Sequence, residues 1–137
     1  MAGQGECAAS GRSLEQWLQL LEARHPNEID LGLERIAKVA AALKLTRPAR
    51  QTITVAGTNG KGSAVAIMEA ILLHKGRRVG AYTSPHLLRY NERVRIDGEP
   101  VSDEALCQAF AAIEAARGTI SLSYFEFGTL AALLIFE

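Results

Sequence analysis

Residues 52–63, T-I-T-V-A-G-T-N-G-K-G-S, constrain the fold of this chain more than any other stretch. A β-branched run leads into a glycine-rich turn, a lysine follows, and an apolar segment with helical spacing begins directly afterwards. Glycines let backbone N–H groups approach phosphate oxygens closely, and a helix N-terminus adds the positive end of its dipole. We therefore predict a strand near residues 51–56, followed by a phosphate-binding turn and a helix.

The turn is a shorter variant of the common phosphate-binding pattern G-x-x-x-x-G-K-[ST]. Val55 occupies the position of the first glycine, and Gly62 separates Lys61 from Ser63. Lys61 is expected to reach the outer phosphates, and hydroxyl groups of the turn are suited to phosphate or Mg²⁺. The predicted nucleotide-binding residues are Gly57, Thr58, Asn59, Gly60, Lys61, Gly62 and Ser63. The alternative is a plain strand-to-helix turn with a solvated lysine, which three glycines and a lysine disfavour.

Composition excludes several classes of function. The chain has 137 residues, enough for one domain with a core, and 15 basic residues balance 15 acidic ones. This balance predicts no nucleic-acid or membrane surface. Cys7 and Cys107 match no metal-binding or redox spacing, so we expect two reduced thiols. With no signal-peptide pattern, the chain is expected to be cytoplasmic.

Local signals predict four helices in addition to the one that follows the turn at 57–63. Ser13 is expected to cap a helix that ends near residue 24, and Asp30 to cap a second with an inner face of Leu33, Ile36, Ala37, Ala40 and Leu43. Ser102 is expected to cap a helix that Gly118 ends. In that helix the inward residues would be Leu106, Phe110 and Ile113. The last helix is expected to start near Ser123 or Tyr124.

Two further segments predict strands. Residues 78–82 are expected to form a parallel strand that completes a βαβ unit, and residues 94–101 a hairpin around Asp97 and Gly98. The fold class is therefore α/β, a mostly parallel sheet flanked by helices. Residues 1–12 are expected to be disordered, and residues 13–137 to form the N-terminal part of a nucleotide-binding domain. Because the chain stops inside an apolar segment, we expect a piece of a longer protein, with Leu130, Leu133, Leu134 and Phe136 exposed.

Four segments together resemble the folylpolyglutamate synthase/dihydrofolate synthase group of the Mur ligase family. They are G-T-N-G-K-G-S at 57–63, T-S-P-H-L with R-Y-N-E-R at 83–93, S-Y-F-E-F-G-T at 123–129, and D-L-G-L-E-R at 30–35. The resemblance implies an enzyme that uses ATP and Mg²⁺ to phosphorylate a substrate carboxylate. The amino group of L-glutamate then attacks the acyl phosphate. The implied substrates are dihydropteroate and tetrahydrofolates.

The resemblance also implies roles for individual residues. It makes Lys61 catalytic and Ser84 a ligand of Mg²⁺. Taken by itself, Ser84 is better interpreted as a helix or turn cap before Pro85, but its position after the second predicted strand reverses that preference. It implies substrate contacts at Asp30, Leu31, Gly32, Ser123, Tyr124, Phe125 and Glu126. From spacing alone, Asp30 as an N-cap and Phe125 as a core residue are the better interpretations.

Two alternatives to the ligase remain open at this point. One is a module that binds nucleotide or pterin without turnover. The other is a small-molecule kinase with a similar turn, against which the segments at 83–87 and 123–129 argue. The full-length protein is expected to be a monomer with small-molecule substrates and neither nucleic-acid nor membrane partners. The 137-residue chain alone is expected to be inactive as a ligase.

Overall fold

The computed structural model describes residues 11–24 and 32–137. The predictions for residues 1–10 and for Asp30 and Leu31 therefore lie outside the described residues. The chain divides into two compact units, one of residues 1–48, 103–135 and 137, the other of residues 49–102 and 136. The elements are α1 (Leu14–Arg24), α2 (Glu34–Ala42), α3 (Lys61–His74), β1 (Gly80–Tyr82), a 3₁₀ helix (Tyr90–Arg93), β2 (Val94–Ile96), β3 (Glu99–Pro100), α4 (Asp103–Arg117) and α5 (Tyr124–Phe136).

Aromatic side chains form the centre of the first unit. Phe110 of α4 lies between Trp17 of α1 and Phe127 of α5, with ring centroids 6.1 Å and 6.2 Å away. All three side chains are buried, as are Leu106 and Ile113 of α4. The predicted inner face of α4 is thus confirmed. Burial of such large apolar side chains is the main source of stability for a unit of this size.

The starts of α1 and α5 follow from local caps. The Ser13 backbone N–H donates to Oε1 of Gln16 at 2.8 Å, and the Gln16 N–H donates to Oγ of Ser13 at 3.3 Å. Ser123 and Glu126 form the same reciprocal pair at the start of α5, at 3.2 Å and 2.7 Å. Each pair satisfies two N–H groups that have no partner within the helix. The predicted starts of both helices are confirmed.

The predicted inner face of α2 is only partly correct. Val39 is the buried residue of this helix, whereas Leu33 is 79% exposed and Ala37 is exposed. The helix begins at Glu34 after Leu33, without a side-chain cap. Apolar spacing indicates which residues share a face, but the contact with α4 decides which part of that face is covered.

The second unit contains a three-stranded antiparallel sheet in the order β1-β2-β3. Gly80 pairs with Ile96, and Ile96 also pairs with Glu99. The turn between β2 and β3 has positive φ at both Asp97 (51°) and Gly98 (88°), as a two-residue hairpin turn requires. The hairpin prediction is confirmed. The prediction that residues 78–82 form a parallel strand is wrong, because β1 pairs antiparallel with β2 of the hairpin.

The predicted strand at residues 51–56 is also wrong. No residue of this stretch is assigned to a strand, and Ile53 is 64% exposed. A β-branched run favours an extended backbone, but a strand forms only where a neighbouring segment accepts and donates its hydrogen bonds. The described residues are nevertheless of mixed α/β composition, with helices and a small sheet.

Two predictions about side-chain environment need correction. Leu130 is fully buried and Leu133, Leu134 and Phe136 are half-buried, since α5 is apolar on almost every side and forms part of the core. Cys107 is buried and disulfide-bonded, so the prediction of a reduced thiol is wrong for this residue. Spacing along the sequence does not report distance in space. Among the described residues, no helix is long and apolar enough to cross a membrane.

Candidate functional site

The turn before α3 has the backbone geometry of an anion-binding loop. Gly60 is the N-cap of α3 with φ 74° and ψ 5°, and Gly57 has φ 156°, both in regions that favour glycine. The first helical hydrogen bond runs from the Ala64 N–H to the Gly60 carbonyl at 3.0 Å. The N–H groups of the residues between them therefore have no acceptor within the helix. They are available to an anion at the positive end of the helix dipole.

Lys61 lies over this turn. Its Nζ donates to the Gly57 carbonyl oxygen at 2.7 Å, so the positive charge is held beside the backbone donors. All seven predicted nucleotide-binding residues are exposed. A Cβ atom added at Gly62 would have no heavy atom within 4 Å, which leaves open space beside the first turn of α3. The turn thus combines backbone N–H donors, the positive charge of Lys61 and open space beside α3, which are the features that phosphate binding requires.

Ser84 lies in the same unit, two residues after β1. Its side chain is exposed, and its peptide bond to Pro85 is cis. The described residues contain no group of three or more His, Cys, Asp or Glu side chains able to hold a metal ion. Mg²⁺ commonly keeps several waters and takes one or two protein oxygens together with phosphate oxygens. A single exposed hydroxyl therefore fits this ion, whereas a site built from protein ligands alone is not found among the described residues.

The loop after Ser84 is anchored to the 3₁₀ helix. Both carboxylate oxygens of Glu92 accept backbone N–H groups, from Leu87 at 2.9 Å, Leu88 at 3.0 Å and Arg89 at 2.7 Å. The bonds from Leu87 and Arg89 contribute most to a lowered pKa of the Glu92 carboxyl. Glu92 thus remains an ionised acceptor at neutral pH.

Arg93 of the 3₁₀ helix holds His86, which belongs to the same loop. Nε of Arg93 donates to Nδ1 of His86 at 2.8 Å, and the His86 ring meets Tyr90 edge-on with centroids 5.7 Å apart. An arginine cannot accept a hydrogen bond, so Nδ1 carries the lone pair and a neutral His86 carries its proton on Nε2. The loop therefore presents an N–H donor two residues from the Ser84 hydroxyl.

Arg95 and Glu69 connect β2 to α3 in the second unit. Nη2 of Arg95 lies 2.7 Å from Oε2 of Glu69, and the Arg95 Nε also donates to that carboxylate. The Glu69 side chain is 8% exposed and that of Arg95 19% exposed. Glu69 is the buried residue of α3, so this ion pair fixes the helix that begins with Lys61 against the hairpin.

The candidate substrate residues lie in the first unit. Ser123 and Glu126 are buried in the cap of α5, and Glu126 also accepts from Nη2 of Arg35 at 3.2 Å. Tyr124 is half-buried and Phe125 is 48% exposed, so these aromatic faces are accessible. Gly32 is exposed. The structure thus places the predicted nucleotide and metal residues in the second unit and the described substrate residues in the first.

Comparisons of the sequence with known proteins give consistent matches. No protein-family profile matches the chain. Dihydrofolate synthase/folylpolyglutamate synthase of Escherichia coli is 53% identical over 124 residues, which cover 90% of this chain and 29% of that protein. The enzyme of the same name from Haemophilus influenzae is 54% identical over 124 residues, covering 90% of this chain and 28% of that protein.

Solved structures agree with these sequence matches. Escherichia coli FolC in complex with DHPP and ADP matches with a TM-score of 0.90 and 52% identity, covering 93% of this chain and 31% of that one. The chain belongs to the folylpolyglutamate synthase/dihydrofolate synthase family. The family member from Yersinia pestis, complexed with AMPPNP and Mn ion, matches with a TM-score of 0.88 and 56% identity, over 93% of this chain and 31% of that one. The Mur-ligase-type α/β fold class is therefore confirmed.

The chain spans about three tenths of the length of these family members. The sequence predicted the glycine-rich turn at residues 57–63 as a candidate phosphate site, but no role was predicted from it for Glu92, Glu69 or Arg35. Glu69 and Arg35 bond to residues 26 and 91 positions away, so no local pattern identifies them. Glu92 bonds to backbone N–H groups three to five residues away, so the need of a tight loop for an acceptor was a local signal for it.

Proposed function

We propose that this chain binds ATP as the nucleotide-binding part of an ATP-dependent ligase that adds L-glutamate to dihydropteroate and to tetrahydrofolates. The observation that carries the proposal is the turn at residues 57–63. There, left-handed glycines, free helix N–H groups and the Lys61 charge converge on one exposed surface. Solved relatives described as complexes with ADP or with AMPPNP and Mn ion support it.

Each residue of the turn has a distinct role in this proposal. Gly57 and Gly60 shape the backbone around the β- and γ-phosphates, and the N–H groups at the start of α3 bind their oxygens. Lys61 leaves the Gly57 carbonyl and neutralises charge that builds up as the γ-phosphoryl group is transferred. Ser84 would supply one protein oxygen to Mg²⁺, and the ion would offset the negative charge of the phosphates.

The proposed substrate contacts are in the first unit. Tyr124 and Phe125 offer accessible aromatic faces on which a flat pterin ring can stack. Ser123 and Glu126 hold the start of α5 in place through their cap, so their contribution is to position these rings. Asp30, Leu31 and Gly32 are proposed to complete this site.

Calorimetric titration of the chain with ATP tests the nucleotide site. Loss of a charge-assisted contact at Lys61→Ala is expected to weaken binding by roughly tenfold to a hundredfold. Lys75→Ala is the matched control, because Lys75 lies at the opposite end of the same helix and is expected to change nothing. Equal affinities of the wild type and Lys61→Ala would remove Lys61 from the site.

Incorporation of labelled glutamate into dihydropteroate distinguishes the ligase from a module that binds without turnover. We expect no incorporation by these 137 residues alone, and Lys61-dependent incorporation by a protein that also supplies the rest of the family's length. Nucleotide binding without incorporation in the longer protein would favour the binding module.

The proposal has three further parts: a cytoplasmic location, a monomeric state of the full-length protein, and residues 13–137 as the N-terminal part of its ATP-binding domain. The requirement for ATP supports the location, whereas disulfides such as that of Cys107 are rare in a reducing compartment. A thiol count on protein trapped at the moment of cell lysis decides between them. A count of two free thiols would support a cytoplasmic location. A count of zero would support an oxidising compartment.

A further inference from the structure

We propose that Glu92 is a positioning residue, which clamps the loop at residues 84–89 so that the Ser84 hydroxyl is held ready for the metal of the bound nucleotide. The inference rests on the proposed function, since it presupposes a nucleotide–metal complex in the second unit. In this inference Glu92 contributes to the nucleotide site by holding Ser84, without contacting the ligand itself.

The first argument is the number of backbone groups that one side chain engages. Oε2 of Glu92 accepts from Leu87, and Oε1 accepts from both Leu88 and Arg89. The bond from Arg89 is the ordinary cap of the 3₁₀ helix, in which Glu92 is the third residue. The bonds from Leu87 and Leu88 reach beyond that cap into the loop. Helix capping alone therefore does not account for this side chain.

The second argument is that the loop lacks hydrophobic anchoring. Leu87 and Leu88 are each 89% exposed, so their side chains contribute little burial to hold the backbone in place. The loop backbone is held instead by hydrogen bonds to Glu92 of the 3₁₀ helix. The ionised carboxylate forms stronger hydrogen bonds with N–H groups than a neutral acceptor does.

The third argument is the position of Ser84 between two anchors on the same helix. On one side, the Thr83 N–H donates to the Arg93 carbonyl at 2.9 Å. On the other side, the Leu87 N–H donates to Glu92. Only three residues lie between these anchors, and one of them, His86, is itself held by Arg93. Release of the Glu92 anchor frees one end of this short segment.

The variants Glu92→Gln and Glu92→Ala test the inference, with Glu99→Gln as a control on an exposed carboxylate of β3 in the same unit. Hydrogen exchange of the Leu87, Leu88 and Arg89 amides is the first readout. Exchange is expected to be about tenfold faster or more in Glu92→Ala, and intermediate in Glu92→Gln, which keeps one acceptor oxygen. Unchanged exchange in both variants would overturn the clamp.

The second readout is the affinity for ADP with and without Mg²⁺, measured by calorimetry. We expect metal-free binding to be unchanged in the Glu92 variants, and the gain in affinity that Mg²⁺ provides to fall by about tenfold, as for other residues that orient a metal ligand. A merely structural role would change both affinities or neither.

The outcomes separate the inference from the proposed function. If ADP binds and Mg²⁺ strengthens binding equally in the wild type and in Glu92→Ala, the inference is wrong and the nucleotide site stands. If the wild type binds no nucleotide, the proposed function fails and the inference fails with it. A smaller Mg²⁺-dependent gain in Glu92→Ala, with normal behaviour of Glu99→Gln, supports both.

Discussion

Removal of the Arg95 guanidinium is expected to destabilise the second unit strongly, because it leaves the Glu69 carboxylate without its partner. The Glu69 side chain is 8% exposed and the Arg95 side chain 19%. Arg95 also donates from Nη1 to the Glu92 carbonyl at 3.3 Å and to Thr83 Oγ1 at 3.4 Å. Breaking a buried pair by removing one partner costs about 3–5 kcal/mol, and the residual exposure of Arg95 places this case near ~3 kcal/mol.

This free energy can be converted into a thermal shift. An unfolding entropy of ~2.1 cal/mol/K per residue gives roughly 0.29 kcal/mol/K for 137 residues, so Arg95→Met is expected to lower Tm by about 10 °C. Far-UV circular dichroism during heating measures this decrease in Tm. Arg78→Met is the control, since the Arg78–Asp97 pair is 3.7 Å long with 89% and 42% exposed side chains. Such exposed pairs contribute about 0–1 kcal/mol.

A double variant separates the loss of the pair from the burial of an unpaired charge. Glu69→Leu with Arg95→Met replaces both partners by apolar groups, and is expected to recover most of the stability lost in Arg95→Met. The reasoning is refuted if Arg95→Met melts within about 2 °C of Arg78→Met, which corresponds to less than ~1 kcal/mol. It is equally refuted if the double variant is less stable than Arg95→Met alone.

Two further predictions concern the turn before α3 and the first unit. Gly60→Ala is expected to lower the free energy of unfolding by about 1–2 kcal/mol, because Gly60 has a left-handed backbone with φ 74°. Gly62→Ala is expected to be neutral or stabilising by up to ~1 kcal/mol in urea titrations, and the opposite order would contradict the glycine assignment. Hydrogen bonds from Arg117, and then from Arg24, lower the pKa of Glu114 to about 2. Its stabilising effect is therefore complete above its unfolded pKa of 4.5 and is lost as pH falls towards 2, so Glu114→Gln is expected to flatten the pH dependence of Tm in that window.

The sequence predicted those parts of the fold that local contacts determine. The caps at Ser13 and Ser123 use partners three residues away, and the Asp97-Gly98 turn follows from backbone preferences of two residues. Strand pairing is non-local. The β-branched run at 51–56 shows only a tendency to extend, and the partner of β1 is a hairpin more than ten residues later.

The same distinction explains which parts of the candidate site were predictable. The turn at residues 57–63 is local, so glycine spacing and Lys61 were sufficient to indicate it. The Arg95–Glu69 pair spans 26 residues and depends on α3 packing against the hairpin, which no sequence pattern specifies. Glu126 shows the reverse situation. Its interpretation as a ligand contact came from the resemblance, while the capping pattern S-x-x-E, visible in the sequence, accounts for its observed hydrogen bonds.

An NMR titration of the ¹⁵N-labelled chain with ADP tests the central claim most directly, because it reports which backbone amides meet the phosphates. The account predicts the largest shifts at the amides of Gly57, Gly60, Lys61 and Gly62, with saturation at a much higher ADP concentration in Lys61→Ala. Shifts that are absent, or confined to the first unit, would contradict it.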